Sequence, residues 1–333
     1  MNAFVTGATG FIGSHLLRRI SGEYGKIYIL VRKGSLTDNI KWIEGRDNIF
    51  IVRGDLLQPS TFIDQLSRCE HVYHTAGFVG TNRMYKDLVF KLNCEASVNL
   101  LKAVEKVKPL KVVYLASIYA LGKGEKDRPA DETIEYNLEE FSEKIPYMRA
   151  KRIADGFAFE LAEKGLPIVF GFPCYCLGPG DIYLSSSRIV LASMKGLTRF
   201  YVDGGINVVD VRDVAEGLFL CMEKGKAGEK YLLGGYNLTF RELLLELSRF
   251  TNCRPYFRLP KGAVKLAGYL AELVFGEKSI IDYNSALIMC EYWFYNSDKA
   301  KRELGWRVRP LEETLRDSVE WFRMNKICYE RRI

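Results

Sequence analysis

Two side chains four residues apart, Tyr147 and Lys151, have the types and spacing for shared proton chemistry. On a helix, positions i and i+4 lie on one face. A free tyrosine keeps its proton up to a pH of about 10, too high for efficient acid–base work near neutrality. An ammonium one turn away stabilises the phenolate and lowers that value. The Tyr-x-x-x-Lys spacing occurs three times, at Tyr119/Lys123, Tyr147/Lys151 and Tyr295/Lys299, and the surroundings separate them. Tyr119 falls in a loop after a strand, where i and i+4 need not meet. Tyr295 precedes Asn296-Ser297-Asp298, which reads as a helix cap. Only Tyr147 opens a long helix, directly after Pro146, a residue suited to the first helical position. Ser117 stands at the carboxyl end of the preceding apolar strand, residues 111–115. Sites in open parallel sheets gather at that edge.

A second chemical signal lies at the start of the chain. Gly7, Gly10 and Gly13 separate an apolar run, residues 3–5, from Phe11, Ile12, Leu16, Leu17 and Ile20 at helical spacing. Strand, glycine turn and helix are the layout of a dinucleotide-binding corner, although the spacing is G-x-x-G-x-x-G and not G-x-G-x-x-G. Gly7 allows the tight turn, Gly10 lets the backbone approach a pyrophosphate, and Gly13 lets the helix pack on the strand. The helix N-terminus offers its N–H groups to the phosphates. After the second strand, residues 26–31, come Arg32 and Lys33. An acidic residue there would bond the ribose 2′-hydroxyl of NAD, whereas arginine suits a 2′-phosphate. NADP(H) is therefore the preferred cofactor and NAD(H) the alternative. Asp55, after the strand at 48–52, either accepts from the adenine amino group or caps the next helix. Ala76 and Gly77, after the strand at 71–75, let the backbone lie against the cofactor; His74 reads as a packed strand-end histidine. Lys151 can also bond the ribose hydroxyls.

The elements that position these residues alternate strand and helix up to residue 172. This predicts an α/β fold, a doubly wound parallel sheet of Rossmann type over residues 1–172. A helix over 84–107 places Leu88, Leu92, Ala96, Leu100 and Val104 on one face, with Asn93 just off it. A helix over 147–164 carries Ile153, Phe157 and Leu161 as its apolar stripe. Residues 123–144 read as a charged excursion loop with room for one helical turn. Beyond Pro173 the pattern loosens, and residues 173–333 are expected to form a smaller, mainly helical substrate lobe, with residues near 200–225 returning to the Rossmann sheet.

Composition narrows the function further. The chain has 333 residues, 48% hydrophobic and 27% charged, enough for a large core. Its net charge of +7 is spread along the chain, with a basic run only at 330–333, and no array of aromatic and basic residues suggests nucleic acid. The first strand begins at residue 2, leaving no room for a leader, and no apolar run approaches the roughly 20 residues that span a bilayer. A cytoplasmic protein without a transmembrane segment is expected. Residues 263–275 form the nearest candidate, but they are few and include Lys265 and Glu272, so they read as an amphipathic helix. Eight cysteines and three histidines show no zinc-type grouping, so no metal is expected. Cys174 and Cys176 read as small apolar fillers, a redox pair being the alternative.

Taken together, these residues resemble the extended short-chain dehydrogenase/reductase family over essentially the whole chain. The resemblance rests on Thr6-Gly7-Ala8-Thr9-Gly10-Phe11-Ile12-Gly13, Gly54-Asp55-Leu56, His74-Thr75-Ala76-Gly77, Asn93, Ser117, Tyr147/Lys151, Pro173 with Gly178-Pro179-Gly180-Asp181, and Asp210-Val211-Arg212-Asp213. Within the family the chain looks most like the dihydroflavonol 4-reductase-like branch, whose bacterial members are often labelled hopanoid-associated sugar epimerases. Val31-Arg32, Pro129-Ala130-Asp131-Glu132 and Glu303-Leu304-Gly305-Trp306 are among the residues that point there. The resemblance implies that Tyr147 is the catalytic acid/base, that Lys151 assists it and holds the ribose, that Ser117 bonds the reacting oxygen, and that Asn93 supports a water relay. It also implies that Gly7, Thr9, Gly10, Phe11, Ile12, Gly13, Arg32, Asp55, Leu56, Thr75, Ala76, Gly77, Tyr147, Lys151 and Pro173 contact the cofactor, and that two copies pair through the helices beginning near Met84 and Tyr147. Leu115-Ala116-Ser117 departs from the usual Thr-Ser-Ser and keeps only its last serine.

Three functions follow. The leading one is an NADP-dependent carbonyl reductase or alcohol dehydrogenase acting on a small molecule. The second is a nucleotide-sugar epimerase or dehydratase, which uses the same trio but retains its NAD. The third is a non-catalytic NADP-binding module, against which the full Ser117, Tyr147 and Lys151 set argues.

Overall fold

The computed structural model describes residues 1–276 and 281–325. Strands β1 (Asn2–Thr6), β2 (Lys26–Val31), β3 (Ile49–Arg53), β4 (His71–His74), β5 (Lys111–Leu115) and β6 (Ile168–Pro173) follow one another with helical segments between them. In the chain's second half come β7 (Tyr175–Leu177), β8 (Phe200–Val202), β9 (Gly205–Asp210), β10 (Lys230–Leu233), β11 (Tyr236–Thr239), β12 (Phe257–Leu259) and β13 (Tyr292–Trp293). The main sheet has seven parallel strands in the order β10-β6-β5-β4-β1-β2-β3. From β1 the chain builds outward through β2 and β3 to one edge, then returns through β4, β5 and β6 to the other. The order therefore reverses between β1 and β4, and the crevice outside their carboxyl ends is where open α/β sheets bind ligands. The central strands are apolar because helices cover both faces: Ala3, Phe4 and Val5 are wholly buried, as are Val72 and Tyr73.

The return to the main sheet is made by residues 211–233. The Val211–Lys224 helix packs on the Phe11–Ile20 helix, and β10 extends the sheet beside β6. Strands β8 and β9, near residues 200–210, instead join small sheets of the second half: β9 lies among β7, β11 and β13, and β8 pairs β12. Side chains tie this half to the main sheet. The Glu132 carboxylate accepts from the Leu232 N–H at 2.7 Å, and Asp210 caps the Val211–Lys224 helix by accepting from the Arg212 N–H at 2.8 Å.

The expected helix over 84–107 is broken into pieces. A 3-10 turn at Arg83–Tyr85 and one α-turn at Lys86–Val89 lead into a π segment, Phe90–Glu95, before the regular Ala96–Val107 helix. Leu88 is consequently exposed. The helix containing Tyr147 runs over Pro146–Glu163, but Ile153 is exposed. The buried face holds Met148, Lys151, Ala154, Asp155, Ala158 and Leu161. Tyr119 lies in a short helix, Ile118–Leu121, and not in a loop.

Candidate active site

The glycine corner is closed by backbone. Gly7 has φ +77° and accepts from the Gly10 N–H at 2.9 Å. A Cβ on Gly13 would stand 2.1 Å from the Gly7 carbonyl oxygen and 2.6 Å from Thr75 Oγ1. A Cβ on Gly10 would meet only the Gly7 oxygen, at 3.2 Å, so Gly10 faces open space. No side chain caps the Phe11–Ile20 helix. An uncapped helix N-terminus behind an open glycine fits the pyrophosphate of a dinucleotide.

Around this corner the expected contact residues fall at one sheet edge. Thr75 Oγ1 donates to the Thr6 carbonyl at 2.7 Å, which sets the β4 exit, Thr75-Ala76-Gly77, on the glycine turn. Arg32 is exposed beyond β2. Asp55 does not cap a helix; its Oδ1 accepts from the Leu57 N–H at 2.9 Å and turns the chain locally, with Leu56 buried beside it. Pro173 ends β6 opposite Leu233. Two residues with no sequence signal, His15 and Asn39, hold the loop at 178–181 over the corner: His15 Nε2 lies 2.8 Å from the Pro179 carbonyl, and Asn39 Nδ2 donates to the Gly180 carbonyl at 3.0 Å.

Asn93 sits in the π segment, and its side-chain amide clamps one backbone unit. Oδ1 accepts from the Phe78 N–H and Nδ2 donates to the Phe78 carbonyl, each at 2.8 Å. This explains an asparagine in mid-helix, where its propensity is poor. It holds the segment leaving β4. His74 is packed as expected, between Thr6 Oγ1 at 2.7 Å and Ser97 Oγ at 3.0 Å, and burial pushes its imidazole down to about 3. Cys174 and Cys176 are buried, and burial pushes both thiols up, as suits apolar fillers.

Ser117, Tyr147 and Lys151 come together beyond β5. The Ser117 Oγ accepts from the Tyr119 N–H at 3.2 Å, capping the short helix. Tyr147 is half-buried, with its ring edge-on to Tyr119 at 5.9 Å. Lys151 Nζ lies 3.3 Å from Asp155 Oδ1. Asp155 is wholly buried and also accepts from Tyr114 Oη at 2.9 Å and from the Ser117 N–H at 2.8 Å. One carboxylate thus holds both the lysine and the serine backbone. The Lys151–Asp155 spacing of four was the signal for it in the sequence.

Burial acts on the tyrosine in the direction opposite to that expected of Lys151. Burial pushes the Tyr147 phenol up from its ordinary value, Tyr119 and Asp155 push the same way, and a hydrogen bond with Ser117 opposes them. The ammonium that was to lower it is engaged by Asp155. Burial also raises the Asp155 carboxyl, against the pull of Lys151, Ser117 and Tyr114. Asp155→Asn should therefore cost about 2 kcal/mol in folding stability, because the amide NH2 faces a donor and Lys151 loses its counter-ion. A urea midpoint unchanged from wild type would contradict this network.

A parallel sheet with a glycine-turned helix at its switch point defines a Rossmann-fold dinucleotide-binding protein. Residues 3–234 match the family model described as the NAD dependent epimerase/dehydratase family, and the chain belongs to that family. It is an NAD(P)-dependent enzyme of the extended short-chain dehydrogenase/reductase type. A Synechocystis protein named as a dihydroflavonol 4-reductase is 29% identical, covering 96% of this chain and 94% of its own. Sterol demethylase protein B of Methylococcus capsulatus is 27% identical, covering 97% and 98%. Among solved structures, gox2253 superposes with a TM-score of 0.83 at 32% identity, over 97% of this chain and 98% of that one. The dTDP-glucose 4,6-dehydratase DesIV of Streptomyces venezuelae shares the fold, with a TM-score of 0.77 at 21% identity over 99% of each chain. Among the described residues no helix is long and apolar enough to cross a membrane, and no cluster of potential metal ligands occurs.

Proposed function

We propose that this protein is an NADP-dependent carbonyl reductase in which Tyr147 gives its proton to the substrate oxygen. When bound, the nicotinamide supplies the hydride that reaches the carbonyl carbon. Ser117 bonds the same oxygen, and Lys151 restores charge balance as the phenol loses its proton. The observation that supports this reading is the grouping of Ser117, Tyr147 and Lys151 beyond the carboxyl end of β5, the edge at which an open sheet places its ligand. An epimerase or dehydratase would use the same three side chains and begin with the reverse step. That second reading is supported by the family description and by the sugar-nucleotide names of structural neighbours. The names of two relatives, a dihydroflavonol reductase and a Stigmatella aurantiaca ketoreductase, support the first. Leu88 and Ile153, exposed on two neighbouring helical segments, support pairing of two copies there.

The experiment is reduction of a carbonyl panel with NADPH or NADH as donor. Consumption of NADPH with formation of alcohol supports the reading; no reduction with either nucleotide opposes it. Arg32 is expected to set the preference. Arg32→Ser should weaken NADPH affinity about 10- to 100-fold, the worth of charge-assisted hydrogen bonds to a phosphate, and leave NADH affinity nearly unchanged. Equal losses for both nucleotides would remove Arg32 from the 2′-phosphate site.

A further inference from the structure

The Lys261–Phe275 helix buries Val264 and Gly268 as an ordinary surface helix would, but it is apolar on its outward side as well. Ala263, Leu266, Ala267, Leu270, Leu273 and Val274 recur at helical spacing, and all six are exposed. Leu273 and Val274 are 71% and 70% exposed. The two charges beyond the first turn, Lys265 and Glu272, lie on the half-buried side, and Glu272 accepts from the Tyr283 N–H at 3.0 Å. Val264 and Gly268 are buried against protein, Lys265 and Glu272 flank them, and a second apolar stripe faces out. A contiguous apolar stripe of this length marks an interaction surface.

Charge around the stripe indicates what covers it. Arg254, Arg258 and Lys261 are exposed on the approach to the helix. At its far end a Cβ on Gly276 would lie 3.6 Å from Met84 Sδ, which brings exposed Arg83 and Lys86 to that end. The nearby acids are fewer and are engaged or buried: Asp203 pairs with Arg258, Glu272 lies 3.9 Å from Arg83, Asp282 is buried and accepts from Thr81 and Ser285, and Asp87 adjoins Lys86. An apolar stripe with cationic ends is the composition of a helix lying in an anionic lipid interface. At 15 residues the helix is about 22 Å long, which suits lying in that plane and not crossing it.

The end of the helix is tied to the segment that leaves β4. Asn82 Nδ2 donates to the Gly276 carbonyl at 3.3 Å, and Thr81 Oγ1 donates to Asp282 at 2.9 Å. Residues 78–82 form the segment that leaves β4 and is clamped by Asn93. We propose that the outward face of the Lys261–Phe275 helix docks this enzyme on an anionic lipid surface. The proposal is independent of the reductase reading, which stands or falls on other measurements.

Flotation of the full chain with vesicles tests it. The protein should bind vesicles containing phosphatidylglycerol, bind pure phosphatidylcholine vesicles far less, and release as salt rises. The double variant Leu270→Glu/Leu273→Glu should lose at least tenfold in binding while keeping its thermal midpoint and nucleotide affinity, since both side chains are exposed. No binding of the wild type to anionic vesicles overturns the proposal, and so does binding that the double variant retains. A wild-type dimer that the variant splits, without vesicle binding, would assign the stripe to a second copy of the chain instead.

Discussion

Replacing Tyr147 with phenylalanine should lower turnover by about 10³- to 10⁴-fold, at the upper end of what a positioned general acid contributes. The substitution removes one oxygen. The ring still packs edge-on against Tyr119, and Lys151 still pairs with Asp155, so the fold and nucleotide affinity should stay within about twofold of wild type. The loss should appear in kcat and kcat/KM alike, because the proton is donated in the transition state and not on binding. Turnover within tenfold of wild type would show that another group supplies the proton. Ser117 would then be the next residue to examine, since its hydroxyl already opposes the upward push on the phenol.

The second large effect is expected at the glycine corner. Gly13→Ala places a methyl 2.1 Å from the Gly7 carbonyl oxygen, and the obstacle is backbone that cannot rotate aside. The Phe11–Ile20 helix must move off β1, which should cost about 3 kcal/mol and weaken nucleotide binding by on the order of 100-fold through the displaced helix N-terminus. Gly10→Ala is the control. Its methyl meets only one protein atom, at 3.2 Å, so stability should hardly change while the close approach of a pyrophosphate is lost. Thermal melts and nucleotide titrations of the two variants separate packing from binding. A Gly13→Ala protein with a wild-type melt would mean that the corner is looser than described.

Much of this was legible from residue types. Glycines spaced by three after an apolar run located the corner, because few other residues permit that approach of helix to strand. Alternating elements located the parallel sheet, because both its faces are covered and its strands are uniformly apolar. The helix that carries Tyr147 was legible in extent but not in orientation. Ile153 looked like core by size, yet the structure buries Ala154, Asp155 and Ala158, because neighbouring segments approach closely enough to require small side chains and a paired carboxylate. The segment at 84–107 misled for a related reason. Asn93 reaches out to clamp Phe78, and the π turn around it rotates the preceding residues, leaving Leu88 in solvent. The pairing of the second-half strands was not legible, since most have only two to four residues and distant partners such as Glu132 and Asn207 hold them in place. The spacing of four between Lys151 and Asp155 was in the sequence, but that Asp155 is buried and also holds Tyr114 and the Ser117 N–H was not legible there.

The most direct test of the central claim, reduction driven by NADPH, is to denature the purified protein and identify any released nucleotide by mass. An NADPH-driven reductase should release NADP(H), or carry no bound nucleotide and have a site that NADPH refills in preference to NADH. Tightly retained NAD at about one molecule per chain would contradict it, and would move the assignment to an epimerase or dehydratase that keeps its cofactor through the cycle.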